Sequence, residues 1–528
     1  MKLRNIILSG LVLASFVGCA DFLDVQPKDK QSEEQLFATR GGFYTAVNGI
    51  YNKMASTSLY GKSLSYELVD VISKRYLPLS VNTYLTALST FAYTNSTVET
   101  VLANTWTAAY NTVLNCNVVL NNIDKSVGVL PEAESRMLRG EMLAVRAYLH
   151  FDMLRLFGPV YKLNPDAAAI PYNESEKVMA LPLLSADSVI HEKILRDLDE
   201  AESLLADSDP VIANGPMASL EDDQDVYVRY RQLRMNYYAV VALKARVYLY
   251  AGEQVNALAA ARKLLEDPKV NEHFPAVDPN TLLANQRNPD RVFSTEVLAG
   301  IYKKDREEIY TGYFDSEQAG NNYLHPRKDF VNTSLFAGET QDYRFQTWWQ
   351  VSSGVGETGH MFIKYKGIEK PNGTTDAEYF YAVFMSLIRL SEVYYIAAEC
   401  EPVLEDKYEW LNEIRTRRGL PVLTAFSEDD PEAACSIIRT FIEETGKNAD
   451  RMQQALTDRE VDGIAAMAHK LLPLFTLIGA SESVASLRWL ESCRGEEFSE
   501  EIEKTTLETL EAVRKVVRAA EEYSFGLH

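Results

Sequence analysis

Residues 234–267, "RMNYYAVVALKARVYLYAGEQVNALAAARKLLED", decide the architecture. Apolar residues recur at three-to-four spacing on both sides of Gly252, which predicts two helices joined by a tight turn. Ala242 and Ala245 on the first helix, and Ala257, Ala260 and Ala261 on the second, are small enough for the two backbones to approach closely. A helical pair of this kind is the unit of a tetratricopeptide-like stack, which keeps one face open for partners. The irregular spacing of the pairs leaves a plain helical core as the other reading.

Working outward, the same periodicity returns in "NTWTAAYNTVLNCNVVLNNID" (104–124), "EAESRMLRGEMLAVRAYLHFDMLRLFG" (132–158), "VIHEKILRDLDEAESLLA" (189–206) and "LIRLSEVYYIAAECEPVLEDKYEWLNEIRTRRG" (387–419). The expected fold class is therefore mainly α. Residues 270–380 break the pattern and are rich in Asn, Gly, Pro and aromatics, including "RFQTWWQVSSGVGETGHMFIKYKG" (344–367). Irregular loops on a rigid helical frame are where ligand contacts concentrate. Trp348 and Trp349, with Tyr84 and Tyr93 further upstream, are the candidate stacking residues for a sugar or peptide ligand.

The chain has 528 residues, with 53 basic and 75 acidic side chains, for a formal charge of -22. That balance disfavours nucleic acid and anionic lipid as partners. Five cysteines form no C-x-x-C and no zinc spacing, so neither a metal nor another cofactor is expected. No G-x-S-x-G, H-E-x-x-H, P-loop or dinucleotide fingerprint is present, and no enzyme is expected. At the start, Lys2 and Arg4 precede an apolar run from Ile6 to Val17 that is too short to span a bilayer and suits a signal peptide over residues 1–18. Gly18 before Cys19 resembles a bacterial lipoprotein box, in which Cys19 carries the lipid, although Phe16 stands where leucine is usual.

Five blocks in order, "CADFLDVQPKDKQSEEQLF" (19–37), "GGFYTAVNGIYNKM" (41–54), "RGEMLAVRAYLHFDMLRLFGPV" (139–160), "LIRLSEVYYIAAEC" (387–400) and "LNEIRTRRGLP" (411–421), resemble the SusD/RagB family of outer-membrane nutrient-binding lipoproteins over about residues 19–422. The resemblance implies a domain spanning 19–424 and a tetratricopeptide-bearing scaffold seated on a TonB-dependent SusC-like transporter. It further implies oligosaccharide or peptide binding, and surface exposure at the outer membrane through the lipid on Cys19. Asp21 and Asp24 resemble the onward-export signal of surface lipoproteins in Bacteroidetes. The Arg- and aromatic-rich closing segment of the family has no counterpart after Pro421.

Around Thr424 the composition changes, and "PEAACSIIRTFIEETGKNADRMQQALTDREVDGIAAMAHKLLPLF" (431–475) begins a different pattern. Helices are expected at about 431–445, 447–456, 461–478, 482–493 and 499–522, joined by short turns as an antiparallel four-helix bundle over 425–528. Ile464, Met467, Ala468, Leu471, Leu474, Phe475 and Ile478 form the inward stripe, and His469 lies at its edge. Small residues at Ala465 and Thr476 are expected to let a partner come close.

This segment resembles a histidine-containing phosphotransfer (HPt) domain of two-component systems. By that resemblance His469 accepts phosphate from a response-regulator receiver domain, with Lys470 beside the phosphate. Leu472 and Pro473 stand where the family has lysine and glycine. Such a relay belongs in the cytoplasm, whereas Cys19 belongs outside it. Three accounts stay open: a surface binder capped by the bundle, a phosphorelay protein of a two-component system, and a chimera of two reading frames joined near Leu420.

Overall fold

The computed structural model describes residues 32–216, 228–284, 288–327, 330–352, 359–368, 380–423, 431–477 and 480–526. The signal peptide, Cys19, Asp21 and Asp24 lie outside the described residues. The chain divides into two compact units, at 1–423 and 424–528.

In the first unit, helices α1 (Arg40–Met54), α2 (Ser96–Lys125), α3 (Glu132–Phe157), α4 (Leu195–Ser208), α5 (Tyr237–Ala251), α6 (Gln254–Leu265), α7 (Leu390–Cys400) and α8 (Leu404–Arg417) carry the core. Each packs on the next along the chain, α2 on α3, α3 on α4, α5 on α6, α6 on α7 and α7 on α8. Side-chain caps start several of them. Asn236 accepts the Ala239 N–H at 3.0 Å to open α5, and its amide donates to the Leu298 carbonyl at 2.7 Å, fastening the hairpin to a strand. Gly252 closes α5 at φ +80, a left-handed position that costs a Cβ-bearing residue about 1 kcal/mol. Ala242, Ala245, Ala257 and Ala261 are buried at the contact, and Ala260 is half-buried.

Several of the buried charges in this unit are paired. Arg231 donates to both oxygens of Asp209 at 2.9 and 3.0 Å and to Glu141 at 2.8 Å. Arg146 grips Asp197 at 2.7 and 2.9 Å. Removing one partner of such a group strands the other in the core at a cost of about 3–5 kcal/mol.

Within and around the segment read as irregular loops lie strands that hydrophobic periodicity did not separate. β1 (Leu77–Pro78) pairs antiparallel with β3 (Leu324–His325), β2 (Val297–Tyr302) with β6 (Phe384–Arg389), and β4 (Trp349–Ser352) with β5 (Gly359–Phe362). β2 is buried along most of its length, so its apolar run carries no alternation to read. β6 runs directly into α7.

The second unit is a bundle of four helices, α9 (Pro431–Thr457), α10 (Val461–Leu477), α11 (Ser481–Ser492) and α12 (Glu500–Gly526). The break expected near residue 446 does not occur. Gly446 sits inside α9, where burial of Ala449 and Met452 outweighs the roughly 1 kcal/mol that a helical glycine costs. α10 also continues through Pro473. Its core side is Ile464, Ala468, Leu471 and Phe475, and Ala465 is buried with them. Ala465 is thus core, and the open approach expected at that position is not there; the side chain of Thr476 and all of Ile478 lie outside the described residues. No described helix is long and apolar enough to cross a membrane.

Candidate functional site: a cation-lined cavity at Trp348 and Trp349

β4, β5, β6 and the start of α7 bring distant residues around a cavity of about 770 Å³. Trp348 ends the helix Tyr343–Trp348 and Trp349 begins β4, so both reach the wall from one turn of chain. Trp348 is held on several sides: its indole N–H donates to the Arg291 carbonyl, and its ring packs 5.3 Å from that of Phe293. Lys364 Nζ lies 4.5 Å from the same ring centroid and the Arg389 guanidinium 5.8 Å from it. Trp348 is therefore a platform for two cations at the cavity wall. Trp349 packs 5.1 Å from Phe362, and its indole N–H is buried without an acceptor.

The two candidate tyrosines are elsewhere. Tyr84 lies on the helix Thr83–Ser89, half-buried, and its hydroxyl donates to Glu67 at 3.3 Å, opposite a 3.0 Å bond from Tyr313. Burial, then the charge of Glu67, pushes the Tyr84 hydroxyl well above its ordinary range. Its amphipathic helix turns it inward, which the polar sequence around it concealed. Tyr93 is exposed, its ring 6.3 Å from Phe91, over which Lys74 of the cavity wall sits at 4.6 Å. It stands two side chains back from the cavity.

Six cations, Lys74, Arg75, Arg344, Lys364, Arg389 and Arg418, line the cavity, against the single carboxylate of Asp70. Arg75 meets Asp70 at 3.4 Å, Arg344 meets Asp342 at 2.6 Å and Arg418 meets Glu296 at 2.6 Å. Among the described residues Lys74, Lys364 and Arg389 have no such partner. Burial, with Arg389, Arg75 and Arg306 close by, pushes the Lys364 ammonium well below the ordinary lysine value. Burial and Arg418 likewise lower Arg389. Burial raises Asp70, against the pull of Arg75. A second cavity of about 410 Å³ shares Arg75, Lys364, Tyr365 and Arg389 as walls, so these cations stand between two spaces. Sequence reading missed them: in "MFIKYKG" a lysine between apolar residues reads as a solvated strand position.

In the bundle, His469 is exposed on α10 and its Nδ1 lies 2.7 Å from Glu491 Oε1 on α11, with Lys470 exposed beside it. A ring nitrogen donating to a carboxylate leaves Nε2 as the free lone pair. Pro473 has no N–H for the His469 carbonyl.

Comparison with known proteins matches residues 21–214 to a family described as starch-binding and associating with the outer membrane. Residues 299–461 match the SusD family, a match that runs past the change of composition at Thr424. SusD-like protein P25 of Formosa agariphila is 22% identical over 61% of this chain and 55% of its own length, and SusD-like protein P2 of the same organism is 24% identical over 38% and 37%. The chain thus spans about half the length of the first of these curated relatives. Among solved structures, a SusD-like carbohydrate-binding protein of Bacteroides vulgatus superposes with a TM-score of 0.54 at 19% identity, covering 74% of this chain and 77% of that one. A SusD superfamily protein of the same organism gives 0.56 at 20% identity, over 72% and 80%. With family matches over both 21–214 and 299–461, the chain belongs to the SusD-like family.

Proposed function

We propose that this protein binds a glycan in the cavity at Trp348 and Trp349, as a surface lipoprotein that delivers nutrient to a TonB-dependent SusC-like transporter. The observation that carries the reading is a 770 Å³ cavity with two adjacent tryptophans in its wall, built by a chain of the SusD-like family. The family's description as starch-binding and outer-membrane-associated supports a glycan over a peptide, and so does the carbohydrate-binding relative from Bacteroides vulgatus. Lipidation of Cys19 would supply the anchor. Trp349, whose ring is held only from the Phe362 side among the described aromatic contacts, is the wall on which a sugar ring can lie. Affinity electrophoresis of the full-length protein through a panel of polysaccharides tests this. Retardation by at least one glycan is expected, with Trp349→Ala weakening it about tenfold, as loss of one aromatic platform implies. Retardation that Trp349→Ala leaves intact would move the site elsewhere.

A second reading concerns the bundle alone, favoured by the exposed His469 and its 2.7 Å contact with Glu491. In it, His469 Nε2 takes a phosphoryl group from a receiver-domain aspartate, with Lys470 near the phosphate. Label from a phosphorylated receiver should reach the chain and vanish in His469→Gln. Label that persists in that variant would exclude His469.

A further inference from the structure

Lys364 is 8% exposed, lines both cavities and makes no hydrogen bond or ion pair among the described residues. Arg389 lines both as well, and is equally without a partner. The two cations lie within 6 Å of one tryptophan centroid, in a wall whose other arginines are already matched to carboxylates. Charging a buried lysine beside a half-buried arginine, neither matched by a carboxylate, is unfavourable, so the pair suits a counter-charge that arrives from outside. Attraction of each cation to the indole ring offsets only part of that cost.

Resting on the glycan-binding reading above, we infer that the ligand is an acidic sugar chain, whose carboxylate or sulfate seats between Lys364 and Arg389 at Trp348. The planar guanidinium of Arg389 can give a fork of two N–H donors to such an oxyanion, and Lys364 a point charge beside it. The flanking volumes, about 770 and 410 Å³, hold the neighbouring sugar rings on either side of the acidic residue. A neutral chain would leave both cations unanswered, which gives the site a basis for discrimination. In the free protein burial, then Arg389, Arg75 and Arg306 close by, disfavour the charged form of Lys364, while Asp70 favours it. An arriving anion reverses that balance, so binding takes up a proton and affinity falls as pH rises.

The test is isothermal titration of the full-length protein with oligogalacturonate, with a sulfated oligosaccharide, and with neutral maltooligosaccharide of matching length. At low salt at least one acidic chain is expected to bind about tenfold or more tightly than the neutral one, the advantage shrinking as salt screens it. Which acidic chain binds distinguishes carboxylate from sulfate as the seated group. Lys364→Met and Arg389→Met, each checked for folding by thermal melting, should cut the ratio of acidic to neutral affinity about tenfold. Should a variant not fold, the salt dependence and proton uptake of the unaltered protein carry the test. Neutral chains binding as tightly as acidic ones, or folded variants that keep the preference, overturn this inference and leave the glycan reading standing. Binding of none of the three sugars counts against both, and equal binding of polyglutamate shows that charge alone is read and overturns the inference.

Discussion

His150 is wholly buried on α3, and its two ring nitrogens have opposite roles. Nδ1–H donates to the Arg146 carbonyl at 2.9 Å, Nε2 accepts the Asn173 N–H at 3.0 Å, and the ring stacks 3.9 Å from Tyr172. Only the neutral imidazole satisfies both bonds, and burial drops its pKa to about 3. The folded value lies below the unfolded one of 6.5, so this stability is complete above pH 6.5 and is lost as pH falls toward 3. The slope from this group approaches about 1.4 kcal/mol per pH unit in that window. Denaturant titrations at several pH values should show that slope, and His150→Gln should flatten it. At this scale the sequence displayed which residue types were present but not their partners: Asn173 is 23 positions from His150, and nothing in "FIKYKG" marks Lys364 as buried.

Elements were more legible where a period could be read. The α5–α6 hairpin follows from its alanines and Gly252, because close helix contact needs small residues and the turn needs a left-handed backbone. β2 was hidden, since a buried strand lacks alternation, and its partner β6 comes from a distant stretch of chain. In the tail, Gly446 suggested a break that the packing of Met452 overrode, and Pro473 marked a weakness that α10 absorbs. The α10–α11 pair places Glu491 against His469 across 22 residues, a contact that helix-by-helix reading cannot supply. If His469 carries phosphate, Glu491 orients its ring, and Glu491→Ala should slow labelling by a receiver relative to the unaltered chain.

Taken whole, the molecule carries a formal charge of -22, yet gathers six cations around one recess. Three of the six are matched by carboxylates, so the local attraction for an anionic ligand rests on Lys74, Lys364 and Arg389. Trp348 and Trp349 stood out in the sequence as paired indoles in a loop-rich segment, and both line the cavity proposed as the site. The cations that define the ligand's charge did not stand out, since they come from β5, β6 and the segments around Asp70 and Arg418. The cavity lies wholly in the first of the two compact units, and the SusD match reaches residue 461.

The most direct test of that placement is hydroxyl-radical footprinting of the full-length protein with and without a saturating acidic oligosaccharide. Protection is predicted at Trp349, Tyr365 and Tyr395, which share the cavity wall. Unchanged labelling at those three residues, with protection at exposed side chains outside the wall such as Met179, would contradict the account.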